Sequence, residues 1–204
     1  MKQKSFLSLL LLLSLQSATY SKSIYSRIEK KTAPDRSTLK EEIQIFKAGS
    51  KPRLKVSSGV SDVTVMCNNN SKEFSVSGNP ETFNVSENNG NITIKEHKRS
   101  GSDFTDITIL APAATSLNLE SKSGSISVED IDGLIDIESR AGKVTVKDPK
   151  QNVTVHTTSG DVVIKDPAND VTVHTKSGSA EAPYGFIKAL KELILGTINR
   201  PLHS

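Results

Sequence analysis

The chain has 204 residues with 26 Lys and Arg against 23 Asp and Glu, a formal net charge of +3, and this near balance excludes the basic footprint of a nucleic-acid binder. Aromatic residues are 4% with no Trp, while Gly, Ser, Thr, Asn, Asp and Val crowd the second half, which argues against helical bundles and for short strands joined by tight turns. Cys67 is the single cysteine, so an intramolecular disulfide is excluded and stability has to come from packing and backbone pairing.

In chain order, the first element is MKQKSFLSLLLLLSLQSAT, with Lys2 and Lys4 ahead of an apolar run from Phe6 to Leu15 and small residues at Ser17 and Ala18. Residues 1–19 are therefore expected to be a secretory signal peptide. The run is shorter than the roughly 20 residues that span a bilayer, so no membrane contact is expected after cleavage. The expected location is secreted, periplasmic or cell-surface. Residues 20–42 read as a flexible charged segment, and Ile43, Ile45 and Phe46 read as a capping strand that opens a β-rich domain over 43–182.

A loose repeat follows. Pairs of alternating apolar residues fall at Leu54 and Val56, Val63 and Val65, Phe74 and Val76, Phe83 and Val85, Ile92 and Ile94, and Ile107 and Ile109. Alternation of this kind puts one set of side chains on one face of a strand. A polar insertion at His97 to Asp103 and a connector at Ala111 to Ala114 lengthen one step.

From Leu117 onward the repeat is strict. Gly124, Gly142, Gly160 and Gly178 each stand 18 residues after the last, with apolar pairs on both sides such as Ile135 and Ile137 before Gly142, and Val144 and Val146 after it. A fixed period is what a solenoid needs, because each strand must lie on its equivalent in the next coil about 4.8 Å away. The first strands Leu54, Phe74, Ile92, Leu117, Ile135, Val153 and Val171 give an all-β, single-domain parallel β-solenoid of about seven coils. Its four glycines are read as structural corners where positive φ is needed. Residues 183–204 close the chain with an expected capping helix and tail, since Phe186, Ile187, Leu190, Leu193 and Ile194 share one helical stripe.

The stretch ITILAPAATSLNLESKSGSISVEDIDG, from Ile107 to Gly133, together with the repeats after it, resembles the bacterial putative-adhesin family. The resemblance implies short right-handed β-solenoids of apolar-x-apolar, Ser-Gly, apolar-x-apolar units, acting in adhesion or envelope structure and sharing no catalytic residues.

The period also lines up outward-facing side chains. Glu120, Glu138, His156 and His174 should stack in one line, where His156, His174 and Glu138 are candidate metal ligands, although a solvated mixed ladder is the preferred reading. Asn118, Asp136, Thr154 and Thr172 form a second line, a candidate ligand face for carbohydrate or ice, although an ordinary solvated strand face is the preferred reading. Asp130, Asp148 and Asp166 mark a third line, read as turn residues rather than Ca²⁺ ligands. No P-loop or dinucleotide fingerprint is present. The sequence thus points to an exported, non-catalytic surface or envelope module without cofactor, binding a glycan or a surface protein. A carbohydrate-active β-helix enzyme and a self-assembling envelope scaffold are the alternatives.

Overall fold

A computed structural model describes residues 42–68, 71–97 and 106–183, and the backbone of 187–189. The expected signal peptide and nearly all of the charged segment lie outside these residues, as does most of the expected C-terminal helix. The described residues are all-β.

Sixteen strands form two sheets. In chain order they are β1 (Glu42–Lys47), β2 (Arg53–Ser58), β3 (Val63–Cys67), β4 (Glu73–Gly78), β5 (Phe83–Asn88), β6 (Asn91–Glu96), β7 (Ile107–Ala111), β8 (Ser116–Ser121), β9 (Ile126–Glu129), β10 (Ile135–Ser139), β11 (Val144–Lys147), β12 (Val153–Thr157), β13 (Val162–Lys165), β14 (Val171–Thr175), β15 (Ala180–Glu181) and β16 (Ile187–Ala189). One sheet runs β1-β4-β7-β3-β9-β11-β13-β15 and the other β16-β14-β12-β10-β8-β2-β6-β5. Apolar side chains from the two inner faces fill one core. Val56, Val65, Ile94, Ile109, Ile137 and Val155 are fully buried within it, and Val155 pairs with Val173 on the adjacent parallel strand as an 18-residue coil requires.

The strict half behaves as the period predicts. β8, β10, β12 and β14 pair in parallel and in register, so Leu117, Ile135, Val153 and Val171 stack. β9, β11, β13 and β15 do the same on the other sheet.

Upstream, the order of coils departs from the order of the chain. β2 lies between β6 and β8, and β3 lies between β7 and β9. The coil that comes first in sequence is thus intercalated between two later ones. Phe74 and Phe83 do not start and finish a coil. β4 is antiparallel to both β7 and β1, and β5 is antiparallel to β6, so these strands sit on the outer side of the β6–β7 coil. Among the described residues there are six two-strand coils rather than about seven, and the sheets are mixed rather than purely parallel. The local cause is the Asn89-Gly90 turn, whose φ values of 51° and 73° make a two-residue hairpin and reverse the chain.

The connector Pro112–Thr115 lets the chain pass the intercalated coil. Asp132 N–H donates to Ala113 O at 2.7 Å, one repeat before Lys150 N–H donates to Ile131 O and Ala168 N–H to Pro149 O. The connector therefore serves as the turn that β3, which leaves the stack at Asn68, does not supply. Within the span expected as a helix, the three described residues 187–189 form β16, parallel to β14, with a shift in register at Val171 and Thr172.

The corner glycines need a different explanation from the one the sequence offers. Positive φ occurs not at Gly124, Gly142, Gly160 or Gly178 but at Asp130, Asp148 and Asp166, with φ of 57°, 52° and 48°. Aspartate tolerates this left-handed conformation, and it turns the next residue inward, so that Ile131, Pro149 and Pro167 are buried. The glycines are required by close approach. A Cβ on Gly142 would collide with the carbonyl oxygen of Gly124, one on Gly160 with that of Gly142, and one on Gly178 with that of Gly160. Gly124 meets Ser61 of the intercalated coil in the same way.

Candidate binding face

Parallel pairing in register makes lines of chemistry on the outer face of the second sheet. One line runs Lys55, Asn118, Asp136, Thr154, Thr172, and the next runs Ser57, Glu120, Glu138, His156, His174. The intercalated coil adds Lys55 and Ser57, which the sequence does not place there. Lys55 Nζ lies 2.8 Å from Glu120 Oε1 and Ser57 Oγ donates to Glu120 Oε2 at 3.1 Å. The hydrogen bond from Lys55 holds the Glu120 carboxyl below its ordinary range, against a smaller opposing effect of burial.

His156 and His174 stack face to face, with centroids 4.6 Å apart and planes 5° from parallel. Rings in this arrangement direct their lone pairs side by side rather than toward one point. Among the described residues no group of three or more His, Cys, Asp or Glu side chains converges on a metal position, so Glu138 does not complete a site with the two imidazoles.

Beside this line, the glycine corner carries Lys122, Arg140, Thr158 and Lys176, one per coil. The two lines border an open groove of about 1170 Å³ that extends from Glu96 and His97 to His174 and Lys176. Asn118, Asp136, Thr154 and Thr172 lie on the flat face beside the groove and do not line it. The groove lining also includes mostly buried hydroxyl residues on the same 18-residue step. Ser121 Oγ donates to Gly124 O at 2.8 Å, and Ser139 Oγ to Gly142 O at 3.3 Å. Thr157 and Thr175 accept from the Gly160 and Gly178 N–H groups. These hydroxyls tie each corner to its own strand, and their period was visible in the sequence.

Glu96 is the polar residue that sequence reasoning missed most completely. In the regular coils, corner N–H groups donate to the corner carbonyls of the coil before, as Arg140 does to Ser121 O and Ser159 to Arg140 O. Gly59 and Val60, at the equivalent corner of the intercalated coil, donate to the Glu96 carboxylate instead. Ser61 N–H and Ser58 Oγ donate to the same oxygen at 3.4 and 3.0 Å. Burial pushes the Glu96 carboxyl up, but the hydrogen bonds from Gly59, Ser58, Val60 and Ser61 together outweigh it and hold the group below its ordinary value. Glu96 thus closes the corner stack in place of a further turn. No spacing rule pointed to it, because its partners lie 35 to 38 residues earlier.

Cys67 ends β3 with its thiol turned inward at 7% exposure. Burial, aided by Asp132 and Asp130, pushes its pKa up to about 11, so the thiolate is suppressed.

Comparison with known proteins adds the following. Residues 40–199 match the model of the family described as Toastrack DUF4097. A crystal structure of a putative adhesin from Bacteroides fragilis NCTC 9343 is similar, with a TM-score of 0.53 at 18% identity, covering 76% of this chain and 73% of that one. A putative cell adhesion protein from Clostridium sporogenes ATCC 15579 has a TM-score of 0.46 at 19% identity, over 67% of this chain and 72% of that one. A putative lipid binding protein from Parabacteroides distasonis ATCC 8503 has a TM-score of 0.45 at 12% identity, over 72% and 74%. No curated protein matches the chain. The match over residues 40–199 takes in every described strand, and the chain belongs to the Toastrack DUF4097 family.

Proposed function

We propose that this chain is an exported, non-catalytic surface or envelope protein that works as an adhesive binding module. The observation that carries the reading is repetition of surface chemistry. Outward positions recur coil by coil in register, so like side chains meet in pairs along one direction, Glu120 with Glu138, Thr154 with Thr172 and His156 with His174. A repeated face suits a polymer or a second surface, held by many weak contacts whose effects multiply. The Lys2, Lys4 and Phe6 to Leu15 pattern supports export, and the fold shared with the Bacteroides fragilis putative adhesin supports a role at the cell surface.

The test has two parts. Antibody labelling of intact cells should detect the protein, and deleting its gene should lower adherence to a glycan-coated surface. The purified chain, incubated with a panel of polysaccharides, should release no reducing ends. Release of sugar fragments, or confinement of the protein to the cytoplasmic fraction, would contradict the proposal.

A further inference from the structure

The groove along the glycine corner has a charge pattern that selects among ligands. Three of its carboxylates are Glu96, Glu120 and Glu138. Glu120 is paired with Lys55, while Glu96 keeps its charge and is held by the N–H groups of residues 59–61. Glu138 makes no ion pair among the described residues, and neither do Lys122, Arg140 and Lys176. Among the described residues, three unpaired cations therefore face two carboxylates that no cation pairs, Glu96 at the end of the groove and Glu138 on the sheet.

Past Glu96, which closes the corner stack at one end, the two signs lie on different sides. Lys122 and Arg140 follow the paired residues Ser121 and Ser139, so they occupy adjacent coils about 4.8 Å apart. Lys176 continues that side two coils further on, past Thr158. Glu138 and the edges of His156 and His174 form the other side, which offers hydrogen-bonding groups. A linear ligand that fits carries an anion toward the corner and hydroxyls toward the sheet, at a repeat of about one coil. A chain of uronic acids has this layout, since each sugar bears one carboxylate and several hydroxyls and is about as long as the coil spacing. An extended peptide would want an open strand edge or apolar pockets, and single-stranded nucleic acid is best served by Phe, Tyr or Trp platforms; Val60 is the one apolar side chain among the described lining residues, which include no Phe, Tyr or Trp.

Resting on the adhesive reading above, we infer that this groove binds a linear acidic polysaccharide, its carboxylates on Lys122, Arg140 and Lys176 and its hydroxyls on Glu138, His156 and His174. The experiment is affinity electrophoresis and calorimetric titration of the full chain with polygalacturonate. Its fully methyl-esterified form removes the charge, and poly-L-glutamate keeps the charge on a peptide backbone. Polygalacturonate should bind, and both references should bind at least about tenfold more weakly. The double variant K122E/R140E should lose about tenfold in affinity, as expected for reversing two exposed contacts. Reversal outside the groove, in K143E/K150E, should change affinity less than about twofold, with both variants melting at the parent temperature. The assignment is overturned if polygalacturonate does not bind, if a reference binds equally well, or if the two double variants lose the same affinity. If the groove fails this test while the protein is still found on cells and still supports adherence, the adhesive reading stands and only the groove assignment falls.

Discussion

Residues 116–182 and residues 42–111 use the same inward pattern to reach different topologies. In the former each coil lies on the one before it in the chain, and β8, β10, β12 and β14 read as one column. In the latter, β2 and β3 dock between later segments, so that Ser57 meets Glu120 across 63 residues of sequence. The difference shows what stacking demands. A coil needs matched length, alternating apolar residues and a corner that neighbours can approach closely, and it does not need to be next in the chain. The ends of the stack then depend on local devices, namely the Asn89-Gly90 hairpin, the antiparallel β4 and β5, and the Glu96 carboxylate.

Substitutions at four kinds of position would break or sharpen this comparison. The largest effect belongs to the shared core. Ile137→Ala in the regular half and Ile94→Ala in β6 each empty a fully buried site, and each should cost about 2–5 kcal/mol. Chemical denaturation should show one transition for both, whereas a separate early transition for Ile94→Ala would show that the two regions are not one cooperative unit.

Next are the corners. Gly142→Ala forces apart two regular coils and Gly124→Ala forces a regular coil from the intercalated one; each should cost about 1–3 kcal/mol by overpacking. If Gly124→Ala were silent in a thermal melt, Ser61 would not be its neighbour. Glu96→Ala leaves the N–H groups of residues 59–61 without the carboxylate and should cost about 1–2 kcal/mol. Because the folded-state pKa of Glu96 is lowered, its contribution is complete above the ordinary carboxylate value of 4.5 and is lost as pH falls below it. Stability curves of parent and Glu96→Gln should therefore converge below that pH and separate above it. Equal separation at every pH would remove Glu96 as a charged cap. The smallest effect has the opposite sign. Asp148→Gly relaxes a left-handed residue and should be neutral or stabilising by up to about 1 kcal/mol, while a clear loss would show that the Asp148 side chain holds the turn.

Much of this fold could be read before any coordinates. The 18-residue step located β8 to β14, their inward valines and isoleucines, and the outward lines ending at His174 and Thr172. Strand register follows from an exact period, so those side chains had nowhere else to go. The upstream order was not legible from the apolar pattern, because Leu54 and Val56 fill the core equally well at any level of the stack. A signal for the reversal was nonetheless present in Asn89-Gly90, flanked by alternating residues, which marks a two-residue hairpin. Taking Phe74 as the start of a coil overlooked it. The corner glycines were found correctly and explained wrongly, since a repeat shows that a position excludes a side chain without showing whether φ or a neighbouring carbonyl excludes it. Of the candidate site, the lines were legible. The end of the groove was not, because Glu96 and His97 come beside Gly59 and Val60 only through the intercalated order of coils.

Intercalation of the β2–β3 coil is tested most directly by cysteine cross-linking in a Cys67→Ala background. Lys55 pairs with Asn118, while Thr93 pairs with Lys55 on its other side and is one strand removed from Asn118. Oxidation should therefore join K55C to N118C in high yield and leave T93C and N118C as free thiols. Efficient joining of T93C to N118C, with none between K55C and N118C, would mean that the coils stack in chain order and would contradict the account.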